Sequence, residues 1–156
     1  SNSAVSFEGI TLDNYTIVVR HRNHLGVKSS GIVSMSPGTT AVYDFTSAVN
    51  QAVGDQQFEV ESGVWGIYAG NANGDSSAST AHKRIKIFGT PTSNDLTAIL
   101  EVLNFDTGAI ENDVYVPEDI TMDGRVKIFG TPTTNDLTRV LEALGFDTGL
   151  QIIRAF

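Results

Sequence analysis

A chain that carries the same 25-residue segment twice has its C-terminal architecture constrained by that repeat, because whatever one copy folds into, the other must fold into as well. Residues 84–108 read RIKIFGTPTSNDLTAILEVLNFDTG and residues 125–149 read RVKIFGTPTTNDLTRVLEALGFDTG, an offset of 41 with 19 of the 25 positions identical. Each copy divides into the same two pieces. A β-branched and aromatic stretch runs into Gly89 and Pro91, or Gly130 and Pro132, and predicts a short extended segment breaking into a turn. A helix is expected after Thr92 or Thr133. Leu96, Ile99, Leu100 and Leu103 stand at helical spacing, as do Leu137, Val140, Leu141 and Leu144, and Asn104 or Gly145 stands where a left-handed C-cap belongs. Two short helices with one apolar stripe each bury those stripes most easily against each other.

Ahead of each copy lies an oxygen-rich loop. Before the second, Asp119-Ile-Thr121-Met-Asp123-Gly124-Arg125 matches the first seven positions of an EF-hand-type loop: oxygen side chains at 1, 3 and 5, glycine at 6 and the backbone carbonyl of Arg125 at 7. Before the first, Asn71-Ala-Asn73-Gly-Asp75 keeps the 1, 3, 5 spacing, but Ser76 replaces the glycine and about seven extra residues follow Ser77. Alternate residues of a tight loop point inward, so their oxygens converge on one hard cation at roughly 2.3–2.6 Å. A carboxylate at the start of the next helix must then close the shell. Asp95 and Asp136 are the candidates, with Asn94 and Asn135 beside them. The competing explanation is local, since Thr92-x-x-Asp95 and Thr133-x-x-Asp136 fit a helix capping box and Asp-Gly and Asn-Gly pairs are ordinary turn formers. Two loops placed before equivalent helices favour the metal. The second loop, with more acids and no insertion, is expected to bind the cation more tightly.

The chain has 156 residues, 40% of them hydrophobic, enough for a buried core. Its net charge of -8 argues against nucleic acid and anionic membrane surfaces as partners, and no apolar run is long enough to insert into a membrane. Without cysteine there are no disulfides, thiolate zinc sites or cysteine nucleophiles, which leaves metal binding as one way to stabilise a small extracellular module. No phosphate-binding glycine loop, G-x-S-x-G or H-E-x-x-H occurs, so an enzyme is not expected.

The N-terminal part reads as strands at residues 5–7, 15–19, 31–35, 40–45 and 58–60, separated by turn residues. The expected fold is α+β: a small β-sandwich over residues 1–66, followed over 67–156 by the duplicated loop–helix unit. Within the RHRNH of residues 20–24, Arg20 and Arg22 share a strand face and can pair with acids of the duplicated unit. Zinc at His21 and His24 is the weaker reading, because the only other histidine is His82 and no carboxylate follows at ligand spacing. Trp65 and Tyr68 stand at the junction, as interdomain packing or as a sugar-stacking platform.

NANGD, EDITMDGRV and the twin NDLT-x-x-L-E-x-L helices resemble dockerin domains over roughly residues 70 to 150. The order YTIVVRHRNHLGV, VWGIYAGNANGD, then two KIFGT units, resembles the C-terminal region of hemagglutinin-like surface proteins of bacteria with a type IX secretion route. The resemblance implies two calcium ions, one at Asn71, Asn73, Asp75 and Asp95 and one at Asp119, Thr121, Asp123 and Asp136. Residues Arg125, through its carbonyl, and Asn135 complete the candidate ligands. It further implies a secreted or cell-surface module that binds a protein partner, cohesin-like or another surface component; a carbohydrate-binding module with structural calcium is the alternative.

Overall fold

The computed structural model describes residue 5, residues 7–74, 83–90 and 93–154, and residue 156. The fold is α+β, and every sheet among the described residues is two-stranded. The N-terminal strands are β1 (Asp13–Tyr15), β2 (Val18–His21), β3 (His24–Lys28), β4 (Val33–Met35), β5 (Phe58–Glu61) and β6 (Val64–Gly66). They pair antiparallel as β1 with β4, β2 with β3 and β5 with β6.

These ribbons differ from the expected sandwich, and the hydrogen bonds say why. The β-rich run at 15–19 changes partner in its middle: Tyr15 faces Val33 of β4, whereas Val19 faces Val27 of β3. At the changeover Ile17 accepts from Ser29 N (2.8 Å) and donates to Ser29 Oγ (3.0 Å), so its backbone is satisfied outside either ladder. Residues 40–45 form no strand. Tyr43 donates through its hydroxyl to Gln51 O (2.6 Å), and Asp44 accepts from Thr46 N (2.8 Å) and Thr46 Oγ1 (2.7 Å), so side chains pin this stretch instead of a neighbouring strand. Of the run at 5–7, residue 6 lies outside the described residues and neither 5 nor 7 is in a strand.

The duplicated unit contains β7 (Arg84–Ile85), α1 (Asp95–Val102), β8 (Glu111–Asn112), β9 (Arg125–Val126), α2 (Asp136–Ala143) and β10 (Ile152–Ile153). The strand that opens one copy pairs with the strand that closes the other: β7 with β10 and β9 with β8. This exchange ties the copies together as equivalents, and it carries the structural repeat past Gly149, where the sequence identity stops.

Both helices begin one residue after an asparagine. Asn94 Oδ1 accepts from Thr97 N (2.8 Å) and Asn135 Oδ1 from Thr138 N (2.7 Å), so the asparagines are the N-caps and the aspartates the first helical residues. The capping-box alternative fails on this geometry, because it requires the acid three residues inside the helix. At the far ends Asn104 (φ 50) and Gly145 (φ 59) take the left-handed conformation, and Phe105 N and Phe146 N return to Leu100 O and Leu141 O at 2.7 Å.

Ile85, Ala98, Ile99 and Leu103 of the first copy meet Ile120, Val126, Val140 and Leu144 of the second in one core. Leu25 of β3 and Ala72 of the first loop belong to the same cluster. Each fully buried aliphatic side chain here contributes about 1.5–3 kcal/mol. Leu96, Leu100, Leu137 and Leu141 are only half-buried, so the stripe that packs is narrower than the sequence pattern. No helix of the described residues is long and apolar enough to cross a membrane.

Candidate metal centre

Asp95 and Asp136 are fully buried, and each is gripped in the same way. Asp95 Oδ2 accepts from Lys86 N (2.8 Å) while its Oδ1 accepts from Asn73 N (3.2 Å) and Asn73 Nδ2 (3.1 Å). Asp136 Oδ2 accepts from Lys127 N (3.0 Å) and its Oδ1 from Thr121 N (2.9 Å). Each aspartate also returns its own N–H to the same lysine carbonyl, at 2.8 and 2.9 Å. One carboxylate oxygen therefore faces the strand of its own repeat, and the other faces position 3 of the oxygen-rich loop.

No cationic side chain neutralises either carboxylate among the described residues. Burial pushes the Asp95 carboxyl up to about 7, although the amides of Lys86, Asn73 and Ala72 pull the other way. Asp136 is raised by burial and further by the charge of Asp119, against the hydrogen bonds from Thr121 and Lys127. A buried carboxylate supported only by amide and hydroxyl dipoles, with a second acid beside it in the case of Asp136, is an environment that a divalent cation relieves. The donors are carboxylate, amide and hydroxyl oxygens with no nitrogen or sulfur ligand, which suits a hard cation such as calcium.

In the second loop Asp119 is buried, and its Oδ1 accepts from Asp123 N (3.1 Å) and Thr121 Oγ1 (3.4 Å), its Oδ2 from Gly124 N (3.0 Å). Met122 and Gly124 adopt φ of 58° and 80°, which folds the loop back on Asp119. Asp119, Thr121 and Asp136 are thus brought together. Asp123 is not: its carboxylate turns to Arg125, with Oδ1 on Arg125 N and Oδ2 on Arg125 Nη2, both at 3.0 Å. Accordingly, no group of three or more His, Asp or Glu side chains gathers for a metal among the described residues. Asn135 directs its Oδ1 to the Thr138 N–H as the helix cap. In the first loop Asn71 is buried and Asn73 reaches Asp95, while Asp75 lies outside the described residues, as do Ser76, Ser77 and His82.

The tip of the β2–β3 hairpin sits between the two loops. Asn23, fully buried, accepts through its carbonyl from Gly70 N and Asn71 N of the first loop, both at 3.1 Å. Its Nδ2 donates to Asp119 O of the second at 2.6 Å. Because Nδ2 faces that carbonyl, Asn23 Oδ1 is the acceptor for His21 Nδ1 (2.9 Å) and His24 Nδ1 (2.8 Å). Burial, and then the charge on His21, lower His24 to about 4, so this ring is neutral around pH 7 and the cluster is a hydrogen-bonded clamp. Arg22 pairs with Asp119 (Nη2 to Oδ2, 3.3 Å), a cross-unit pairing of the kind anticipated, but it does so from the turn that follows β2 and shares no strand face with Arg20, which is exposed. Nothing local in the sequence marks Asn23, whose partner is 96 residues away.

Phe105 and Phe146, at equivalent repeat positions, are each 63% exposed, and Phe88 and Phe129 are exposed at 40% and 41%. A cleft of about 360 Å³ is lined by Phe58, Tyr68, Ala69, Arg139, Glu142 and Ala143. Comparison with protein families, with curated proteins and with solved structures finds no match to this chain.

Proposed function

We propose that this chain is a calcium-stabilised, non-catalytic module, dockerin-like in its duplicated unit, that anchors or binds as part of a larger secreted bacterial protein. The observation that carries this reading is the pair of buried aspartates, Asp95 and Asp136, each opening a helix, each facing an oxygen-rich loop and neither balanced by a cationic side chain among the described residues. Asn71, Asn73, Asp75 and Asp95 would hold one ion. Asp119, Thr121, Asp123, Asp136 and the carbonyl of Arg125 would hold the other, with Asp123 turning inward from Arg125. Calcium supplies positive charge at the point where loop and helix meet. The chain's own residues do the rest: the lysine amides orient the aspartates and the asparagine caps fix the helix starts.

The exposed phenylalanines at equivalent repeat positions are the feature that would favour a protein partner, aromatic rings being enriched where proteins dock. A glycan partner has one specific observation behind it, the cleft in which Tyr68 and Phe58 lie 5.1 Å apart beside Arg139 and Glu142. Calorimetric titration with calcium, together with melting curves in calcium and in chelator, tests the core of the proposal. Binding below millimolar concentration and a higher melting temperature are expected; the absence of both removes the calcium reading. A glycan array then separates the two partner classes through Tyr68→Ala.

A further inference from the structure

The second loop already contains a cation, and it comes from the other half of the chain. Arg22, at the tip of the β2–β3 hairpin, places Nη2 3.3 Å from Asp119 Oδ2, and the carboxylate it touches is 1% exposed. Its guanidinium lies over the ring of Tyr115 at 3.9 Å, and its side chain is 16% exposed. The first loop has no such visitor among the described residues.

We propose that Arg22 is a tethered counter-ion for the second loop, which competes with calcium for Asp119 and leaves it when the ion binds. The inference rests on the calcium reading above. Three observations carry it. Asp119 is fully committed: two backbone amides, the Thr121 hydroxyl and Arg22 together take up both of its oxygens, so a cation bound there must displace a donor. Of those donors only Arg22 carries a full positive charge, and two cations sharing one buried carboxylate repel far more strongly than they would in water.

The third observation is how incompletely Arg22 is held. Nε and Nη1 are buried with no hydrogen-bond partner among the described residues, so the guanidinium has given up water for a single ion pair. Moving off Asp119 restores that hydration. Tyr115 can keep the arginine nearby, because the residue is 85% exposed and its ring is already in contact with the guanidinium. Asn23 need not move in this exchange, since its bonds to both loops use other atoms. The consequence is an ordered second loop in the absence of calcium, and a calcium affinity set partly by a residue almost a hundred positions upstream of the loop.

The test is a calcium chloride titration of the full chain followed site by site in amide NMR spectra. The Gly124 amide, bonded to Asp119, reports the second loop, and the Lys86 amide, bonded to Asp95, reports the first. In Arg22→Gln the half-saturation concentration at Gly124 is expected to fall about tenfold, with Lys86 unchanged and the melting temperature in chelator lowered. Arg22→Lys, which keeps the charge, is expected to stay within about threefold of the parent chain. If Arg22 only braced the loop, Arg22→Gln would leave the Gly124 half-saturation unchanged or raise it, and that result overturns the proposal. Should Arg22→Gln not fold, the Arg22 Nε–H resonance of the parent chain decides: it moves in step with Gly124, or the proposal is wrong. If neither amide of the parent chain responds to millimolar calcium, it is the calcium reading itself that has failed.

Discussion

Two aspartates of the second loop do different physical work, and substitution separates them. Asp136 accepts the buried N–H of Lys127 and the part-buried N–H of Thr121, so Asp136→Ala strands two backbone donors and is expected to cost about 2–5 kcal/mol in calcium and in chelator alike. Asp123 sits at the surface in an ion pair with Arg125, an interaction worth about 0–1 kcal/mol. Asp123→Ala should therefore melt within a few degrees of the parent in chelator and yet lose most of the calcium-induced rise. Retention of the full rise would show that Asp123 never turns inward. The acids were legible in the sequence because an oxygen-rich loop before a helix is a local pattern, and the repeat prints it twice. Arg125 as the partner that holds Asp123 outward was not, since the loop motif assigns only its carbonyl. The burial of Asp95 and Asp136 comes from tertiary packing, and the backbone amide nine residues upstream that grips each of them has no side-chain signature for a sequence pattern to reveal.

Helices of eight residues stand at the margin of stability, so their ends matter more than their propensities. In α2 the Asn135 side chain satisfies Thr138 N, and Asn135→Ala should cost about 1 kcal/mol, whereas Asn135→Ser should recover most of it. Because its oxygen is occupied by the cap, the loss should be the same with calcium and with chelator; a loss confined to calcium would make Asn135 a ligand after all. The apolar stripes and the left-handed C-caps of both helices could be read directly, since helical periodicity and a glycine or asparagine stop are written within one turn of each other. The N-terminal strands could not. Propensity marks residues 15–19 as extended but is silent on partners, and here Ile17 hands the chain from β4 to β3. Tyr43 has every preference for a strand and spends its hydroxyl anchoring a loop.

At the scale of the molecule, the duplicated unit does not bury its core with its own residues alone. Leu25 of β3, 1% exposed, packs in the cluster that contains Ile85, Ile99, Val126 and Val140, and Leu25 N donates to Tyr68 O at 2.8 Å. One residue pair earlier, Asn23 bonds both loops, and a bridge joins His24 to Ala69. The hairpin is thus a shared wall: it closes the hydrophobic core on one side and sets the spacing of the two loops on the other. Unfolding the hairpin exposes the core, and unfolding the core releases the hairpin, so the two should melt together. Leu25→Ala removes a fully buried side chain and is expected to cost about 2–5 kcal/mol, depending on how far the site collapses. In calorimetry with saturating calcium it should shift a single transition downward, with the Trp65 fluorescence of the β5–β6 ribbon and the helical circular dichroism changing at the same temperature. Two separated transitions, with only one of them moved by Leu25→Ala, would mean that the N-terminal ribbons and the duplicated unit fold independently and that the hairpin merely rests against the core.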